Sequence, residues 1–348
     1  MIRILLVDDS PRDIEWLKGI IEREPDMTVI GIAKNGKEAI ELNQALNPDI
    51  ITMDIQMPVM DGLEAIRHIM SHHPTPIVVI SVIGPESKES MHHIFDAGAL
   101  AALEKPANIN TPLFNESCKK IIATLRSMSE IKVARKRFNI TKKNVKPIMT
   151  SHPSKNHHRI FEIIAIGVSV GGPIAMKTIL SKLPANFPIP IVVVQHMSHG
   201  FISGYADWLS SFTPLRVKDA GQFELLKKGT VYIAPDKHHL EIQRVHGKLH
   251  TRLIQGNTVD GFYPSITVLL KSVAKTCEEK AIGILLTGMG HDGAQGLLDI
   301  KNAHGHTIIQ DPESAVVFGM AGVAQSMGAV DRVIKLDNIA NYLIEILN

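Results

Sequence analysis

The sequence predicts an α/β protein with two doubly wound parallel-sheet domains, the larger of which also carries an antiparallel hairpin. Short apolar runs without alternation are typical of buried parallel strands, and amphipathic stretches of helical period separate them. The net charge is −7 over residues 1–125, +9 over 126–159 and 0 over 160–348, within a total of +2. We therefore expect an acidic domain at 1–125, a basic linker at 126–159 and a neutral domain at 160–348.

The first domain is expected to form a (βα)5 sheet, because apolar runs and helical stretches alternate along it. Apolar side chains after the first run, such as Ile14, Leu17 and Ile21, have the spacing of one helix face. The predicted strands are Ile2–Val7, Val29–Ala33, Ile50–Met53, Ile77–Ile80 and Leu100–Leu103.

The second domain begins with a strand, a glycine-rich turn and a helix that starts near Gly172. Two later strands flank the short turn Val245–Gly247 and predict the hairpin, whereas the others alternate with helices and predict a parallel sheet. The predicted strands are Phe161–Ile166, Ile189–Gln195, Thr230–Ala234, Leu240–Arg244, Lys248–Ile254, Ala281–Leu286 and His306–Gln310.

Several classes of protein are disfavoured by composition. The two cysteines, Cys118 and Cys277, form neither a CxxC motif nor a disulfide framework. The first residues do not read as a signal peptide, and no apolar run is long enough to span a membrane. The basic linker has no helix-turn-helix pattern beside it. We expect a cytoplasmic protein with no membrane insertion and no nucleic-acid partner.

Acidic side chains follow two of the predicted strands in the first domain. Asp8 and Asp9 come after the first strand and Asp54 after the third, while Ser81 and Lys105 follow the fourth and fifth. The carboxyl ends of parallel strands meet at one sheet edge, where converging carboxylates suit Mg²⁺. A single aspartate there is also typical of a helix cap. The whole set instead favours phosphoryl transfer to Asp54.

A serine on a sharp turn marks the second domain. Glycines on both sides of Ser169 predict a strand-to-helix turn whose free amides suit an oxyanion, although such turns also bind phosphate. His196 and Asp292 follow other strands to the same edge and are candidates for general base and orienting carboxylate. The rival bases by position are His199, His238, His239 and His291.

Five separated elements of the first domain occur in the order of a known family: VDDS at 7–10, MDIQMPVMDG at 53–62, Ser81, DAGA at 96–99 and EKP at 104–106. They resemble the response-regulator receiver domain, and the resemblance implies that Asp54 is the phospho-acceptor. The implied supporting residues are Asp8, Ser81 and Lys105, and the implied Mg²⁺ ligands are Asp9, Asp54 and the backbone carbonyl of Gln56, with Asp8 acting through water. The chain departs from the family at Ala102, where receivers usually carry an aromatic residue.

The second domain resembles the chemotaxis protein-glutamate methylesterases. The resemblance rests on AIGVSVGGP (165–173), VVQHMSHGF (193–201), GTVYIAPDKHHLEI (229–242), YPSI (263–266), ILLTGMGHDGAQGL (284–297) and QDPESAVVFGMAGVA (310–324). It implies the catalytic triad Ser169, His196 and Asp292, with the backbone N–H of Met289 as an oxyanion donor and no cofactor for the esterase. The departures from the family are Val170, Trp208, Thr267 and Ala321.

The two resemblances together imply a phosphorylation-regulated enzyme. It would hydrolyse glutamate γ-methyl esters, and deamidate glutamines, on methyl-accepting chemoreceptors, with a histidine kinase as phosphodonor. The alternative is a non-catalytic phospho-switch that binds a receptor or kinase partner.

Overall fold

The computed structural model describes residues 1–82, 93–106, 112–131, 160–197 and 202–348, and the chain folds there into two parallel sheets and one hairpin. Most of the predicted linker lies outside the described residues. Its first part is helical, because the helix that begins at Pro112 continues to Ser129. None of the described helices is long and apolar enough to cross a membrane.

The first sheet has five strands in the order β2-β1-β3-β4-β5, all parallel. The strands are β1 (Ile2–Val7), β2 (Met27–Ala33), β3 (Ile50–Met53), β4 (Ile77–Ser81) and β5 (Ala101–Glu104). The helices are α1 (Pro11–Ile21), α2 (Gly36–Leu46), α3 (Gly62–His72) and α4 (Pro112–Ser129), and residues 93–97 are also helical. Since β1 lies between β2 and β3, and the chain crosses over to both sides of it, this first domain is the doubly wound sheet that the sequence predicts.

The second sheet has seven strands in the order β14-β13-β12-β6-β7-β9-β8, again all parallel. The strands are β6 (Ile163–Val168), β7 (Ile191–Gln195), β8 (Arg216–Asp219), β9 (Thr230–Ile233), β12 (Ala281–Leu285), β13 (His306–Gln310) and β14 (Arg332–Ile334). The sequence does not predict the edge strands β8 and β14, because both are short and carry charged residues.

The helices of this second domain are α5 (Gly172–Leu180), α6 (Ile202–Ser210), α7 (Ile266–Cys277), α8 (Ala294–Asn302), α9 (Met320–Ser326) and α10 (Leu336–Leu347). The predicted hairpin is confirmed as the antiparallel pair β10 (His239–Val245) and β11 (Lys248–Ile254). It is tied to α7, since the Ile242 amide donates to Ser272 Oγ and the Thr276 hydroxyl donates to the Ile242 carbonyl, both at 2.9 Å.

The two domains pack against each other. The ring of Phe95 in the first domain contacts that of Trp208 on α6 at a tilt of 49°, with centroids 5.6 Å apart, and the Trp208 indole N–H donates to Asp96 at 3.1 Å. Elsewhere Val170 and Val316 pack against the apolar cluster of the first domain that includes Leu125 of α4. The contacts therefore reach the residue that directly follows Ser169.

Candidate functional site

The predicted acidic site forms at the carboxyl edge of the first sheet. The Lys105 ammonium, just beyond β5, lies 2.7 Å from an Asp8 oxygen and 3.0 Å from an Asp54 oxygen. Asp8 and Asp54 are buried, whereas Asp9 is exposed. The sheet therefore brings these four residues to one place.

Burial and charge oppose each other in this cluster. Burial raises the pKa of the Asp8 carboxyl, and the hydrogen bond from Lys105 only partly opposes that effect. Burial also disfavours the charged ammonium of Lys105, but its carboxylate neighbours outweigh burial and raise the lysine pKa. Lys105 therefore stays charged and offers a fixed positive charge to an anionic group.

The donor set fits a magnesium ion. Carboxylate oxygens of Asp8, Asp9 and Asp54 lie within 4.8 Å of one another, and oxygen ligands are those that Mg²⁺ prefers. Ser81 ends β4 beside Lys105, whose amide donates to the Ser81 carbonyl at 3.0 Å. Gln56 lies exposed in the bend two residues beyond Asp54.

Asp13 is a member of this cluster that the sequence analysis missed. One of its oxygens lies 3.0 Å from the Lys105 ammonium. Its pKa is lowered despite partial burial, because Lys105 and the Trp16 indole donate to it. Asp13 could have been predicted from its place in the first turn of α1, because this turn directly follows the loop with Asp8 and Asp9.

The second site is built where β6 ends. Ser169 is buried, and its amide donates to the Thr287 carbonyl at 3.0 Å. Gly171 has φ of 77° and caps α5, and a Cβ on Gly172 would lie 2.1 Å from Gln195 Oε1. Gly171 therefore permits the left-handed backbone of the sharp turn that places Ser169 at the helix N-terminus, and Gly172 leaves room for the Gln195 side chain.

Sheet order brings Ser169 and His196 side by side. They directly follow Val168 and Gln195, which are paired across β6 and β7. The His196 amide donates to the Val168 carbonyl at 2.9 Å, and the Gln195 side-chain amide donates to the Ser169 carbonyl at 2.8 Å. Gln195 and Thr287 thus support the turn, although the sequence analysis gave them no role.

Asp292 is the partner of His196. Its Oδ2 lies 2.9 Å from His196 Nε2, and it also accepts from the Ser265 hydroxyl and the amides of Ile266 and Thr267 at 2.7–2.9 Å. Burial opposes its ionisation, but the hydrogen bond from His196 and those at the α7 N-terminus lower the pKa of Asp292 to about 2. The carboxylate is therefore ionised at neutral pH.

The opposite nitrogen of the imidazole, Nδ1, is buried without a hydrogen-bond partner among the described residues. One face of the ring lies on Phe262, with centroids 4.2 Å apart and planes inclined by 6°. The sequence alone does not predict Phe262 as a site residue, because it lies in a turn without a recognised catalytic motif.

Two of the rival histidines, His238 and His239, have other partners, and His199 lies outside the described residues. His239 accepts from the Ser265 amide at 3.1 Å, and His238 Nδ1 lies 3.0 Å from the Asp236 carbonyl. His291 is exposed. Of the histidines in the described part of the chain, His196 is the one that meets Asp292.

The segment that carries Met289 adjoins the serine. A Cβ on Gly288 would lie 2.7 Å from Ser169 Cβ, so the backbone passes directly beside the nucleophile candidate. The Ser127 hydroxyl of α4 donates to the Met289 sulfur at 3.9 Å. The first domain therefore reaches both sides of Ser169, through Val170 and through Met289.

Comparison with known proteins gives matches over both domains. Residues 164–343 match the CheB methylesterase family and residues 4–113 match the response regulator receiver domain. The chain is 40% identical over 342 residues to protein-glutamate methylesterase/protein-glutamine glutaminase 4 of Myxococcus xanthus, covering 98% of this chain and 96% of that protein. It is 43% identical over 332 residues to protein-glutamate methylesterase/protein-glutamine glutaminase 2 of Methanospirillum hungatei, covering 94% and 93%. The crystal structure of the Thermotoga maritima CheB methylesterase catalytic domain is similar with a TM-score of 0.53 and 39% identity, covering 53% of this chain and 98% of that one.

Proposed function

Because the chain belongs to the family of CheB protein-glutamate methylesterases with a receiver domain, we propose that Ser169, His196 and Asp292 are its catalytic triad. The enzyme hydrolyses glutamate γ-methyl esters and deamidates glutamines in chemotaxis adaptation, under phosphorylation control. The observation that carries the assignment of the triad is the 2.9 Å bond between His196 and Asp292 at the sheet edge where Ser169 stands.

The triad works by acyl transfer. Ser169 Oγ forms a bond to the ester carbonyl carbon while His196 takes the serine proton at Nδ1, since Nε2 is held by Asp292. The Met289 N–H and the α5 N-terminus stabilise the developing oxyanion. His196 then gives this proton to the methoxy oxygen, or to the amide nitrogen of glutamine, so that methanol or ammonia departs. A water molecule that gives a proton to His196 attacks the acyl-enzyme, and that proton returns to Ser169 Oγ as glutamate is released. These steps need no cofactor.

The receiver accepts a phosphoryl group on Asp54. An Asp54 oxygen attacks phosphorus and the donor group departs, while the Lys105 ammonium and the Ser81 hydroxyl meet the phosphoryl oxygens. Asp9, Asp54 and the Gln56 carbonyl would hold Mg²⁺, with Asp8 acting through water, and the bound ion would supply positive charge for the transferred group.

The partners follow from this chemistry. We propose methyl-accepting chemoreceptors as substrates and a histidine kinase as phosphodonor, in the cytoplasm, with no nucleic-acid partner and no membrane insertion. The domains we propose are a receiver at 1–125, a linker at 126–159 whose first residues continue the receiver helix α4 to Ser129, and the methylesterase at 160–348.

Regulation follows from the packing of the receiver beside Ser169. Because Ser127 of α4 contacts Met289 and Val170 packs against the apolar cluster of the first domain, a docked receiver competes with the receptor for the surface around the nucleophile. Phosphorylation at Asp54 favours the undocked state, which is the active one.

A test of the regulated esterase is methanol release from methylated receptor membranes by the full chain, with and without a small-molecule phosphodonor and Mg²⁺. We expect the phosphodonor to stimulate the wild type, and we expect Asp54→Ala to show no stimulation because its acceptor carboxylate is gone. Glu41→Ala, which changes an exposed acid on α2, is the control and should respond like the wild type. Stimulation of Asp54→Ala would contradict the switch, and no release by any variant would favour the non-catalytic alternative.

The interface itself yields a further prediction. Asp96→Ala removes the acceptor of the Trp208 indole N–H and an ion pair with Lys177 at 3.9 Å. Losing a hydrogen bond to a charged group costs about 1.5 kcal/mol, which is a factor of about 12 in an equilibrium constant, so we expect basal release without phosphodonor to rise by up to about 12-fold. The same assay measures it, with Glu41→Ala again as control. Basal release equal to that of the wild type would exclude a role for this contact in holding the closed state.

A further inference from the structure

The stacking of Phe262 on His196 gives this side chain a place in the reaction. We propose that Phe262 is a positioning residue, which fixes the plane of the His196 ring so that Nδ1 is held for the serine proton. The ring centroids are 4.2 Å apart and the planes differ by 6°, so the phenyl ring covers one face of the imidazole. This inference rests on the proposed triad and goes beyond it, because nothing in the triad requires an aromatic residue here.

Phe262 is itself held firmly by a tight turn. The amides of Val259 and Phe262 each donate to the other's carbonyl, at 3.0 and 2.9 Å. Between them Asp260 has φ of 52° and Gly261 has φ of 83°, the two left-handed residues that a type I′ turn requires. The phenyl ring is therefore presented by a short two-residue hairpin turn rather than by an open loop.

The same segment also holds the other partner of His196. Beyond Phe262, the Ser265 hydroxyl and the Ile266 amide donate to Asp292. Residues 259–267 thus set the plane of the imidazole through Phe262 and the hydrogen bond to Nε2 through Asp292. With one face and one nitrogen occupied, Nδ1 is the nitrogen left for Ser169, and it is buried without a partner among the residues the structure describes.

Removal of the phenyl ring should release the imidazole to rotate about Cβ–Cγ. A displacement of about 1 Å at a catalytic group costs up to about 100-fold in rate, so we expect Phe262→Ala to lower kcat by roughly 10- to 100-fold. KM should change little, because the ring stacks on His196 rather than on the substrate. Phe262→Tyr keeps the stacking surface and should restore kcat to within about threefold of the wild type.

The experiment uses the phosphorylated full chain, methylated receptor membranes and active-site titration with a fluorophosphonate, so that kcat is counted per reactive serine. Phe223→Ala is the matched control, since Phe223 is an aromatic residue of the same domain with 60% exposure. The ¹⁵N shifts of the His196 ring give an independent readout. We expect one tautomer, protonated at Nε2, in the wild type and Phe262→Tyr, and a mixture in Phe262→Ala.

Besides a fully active Phe262→Ala, two results would overturn the inference. One is a rise in KM with unchanged kcat in Phe262→Ala, which would make Phe262 a substrate contact. The other is an unchanged tautomer with a loss of activity that Phe262→Tyr does not restore. Ser169→Ala is measured beside these variants. Activity retained in Ser169→Ala would overturn the proposed triad. An inactive Ser169→Ala together with a fully active Phe262→Ala would contradict only the role of Phe262.

Discussion

Replacing Ser169 by alanine is expected to lower methyl-ester hydrolysis by at least about 10⁴-fold, since the acyl-enzyme needs the serine oxygen. The remaining rate should come from the oxyanion amides and substrate binding alone. The variant should fold normally, because the Ser169 backbone, and not its hydroxyl, makes the hydrogen bonds to Thr287 and Gln195. Methanol release by the phosphorylated full chain measures the effect.

The control for this change is Ser181→Ala, which removes an exposed serine hydroxyl after α5 and should leave the rate unaltered. Receptor membranes incubated without enzyme give the background. Equal methanol release by Ser169→Ala and the wild type would rule out the serine esterase mechanism, whatever the response to phosphodonor.

Asp292→Asn is expected to lower kcat by about 10⁴-fold. The amide lacks the negative charge that stabilises an imidazolium. When its NH₂ group faces His196, Nε2 must accept and the ring proton moves to Nδ1, the nitrogen that should receive the serine proton. The buried amide also places a donor against a backbone N–H of the α7 N-terminus, so the folded state loses a hydrogen bond.

The free energy of unfolding separates the effect of Asp292→Asn on the fold from its effect on kcat. With a pKa of about 2 against an ordinary 3.8, the Asp292 carboxylate stabilises the fold by about 2 kcal/mol above pH 4. That contribution is lost as the pH falls through about 2, so the difference in unfolding free energy between wild type and Asp292→Asn should shrink in acid. Denaturant titrations of the full chain at pH 7 and pH 3 measure it. Asp299→Asn, on the next helix, is the control, and a normal kcat in Asp292→Asn would contradict the orienting role.

The site residues that directly follow the strands could be predicted from the sequence, because the carboxyl ends of parallel strands must lie at the same edge of the sheet. Once β1, β3 and β5 are placed, Asp8, Asp54 and Lys105 must meet at one edge, and they do so within 3.0 Å. His196 follows in the same way from the pairing of Val168 with Gln195 across β6 and β7.

The residues that the sequence did not predict depend on tertiary packing. Phe262 lies far from His196 along the chain and meets it only because a loop folds back over the sheet edge. Asp13 lies on α1 and not at a strand end, so the meeting of strand ends at one sheet edge, which predicts Asp8, Asp54 and Lys105, does not predict it. The donors around Asp292 come from the start of a helix whose direction the sequence pattern does not define.

The packing of α4 beside Ser169 has a thermodynamic consequence for the whole signalling unit. If receptor and receiver exclude each other from one surface, their binding is linked, and linkage is reciprocal. A receptor segment that occupies this surface then displaces the receiver to the extent that its affinity allows, and so makes Asp54 easier to phosphorylate. The concentration of the receptor then affects how much of the enzyme is phosphorylated. The receptor is therefore both the substrate of the enzyme and a factor that determines its activity.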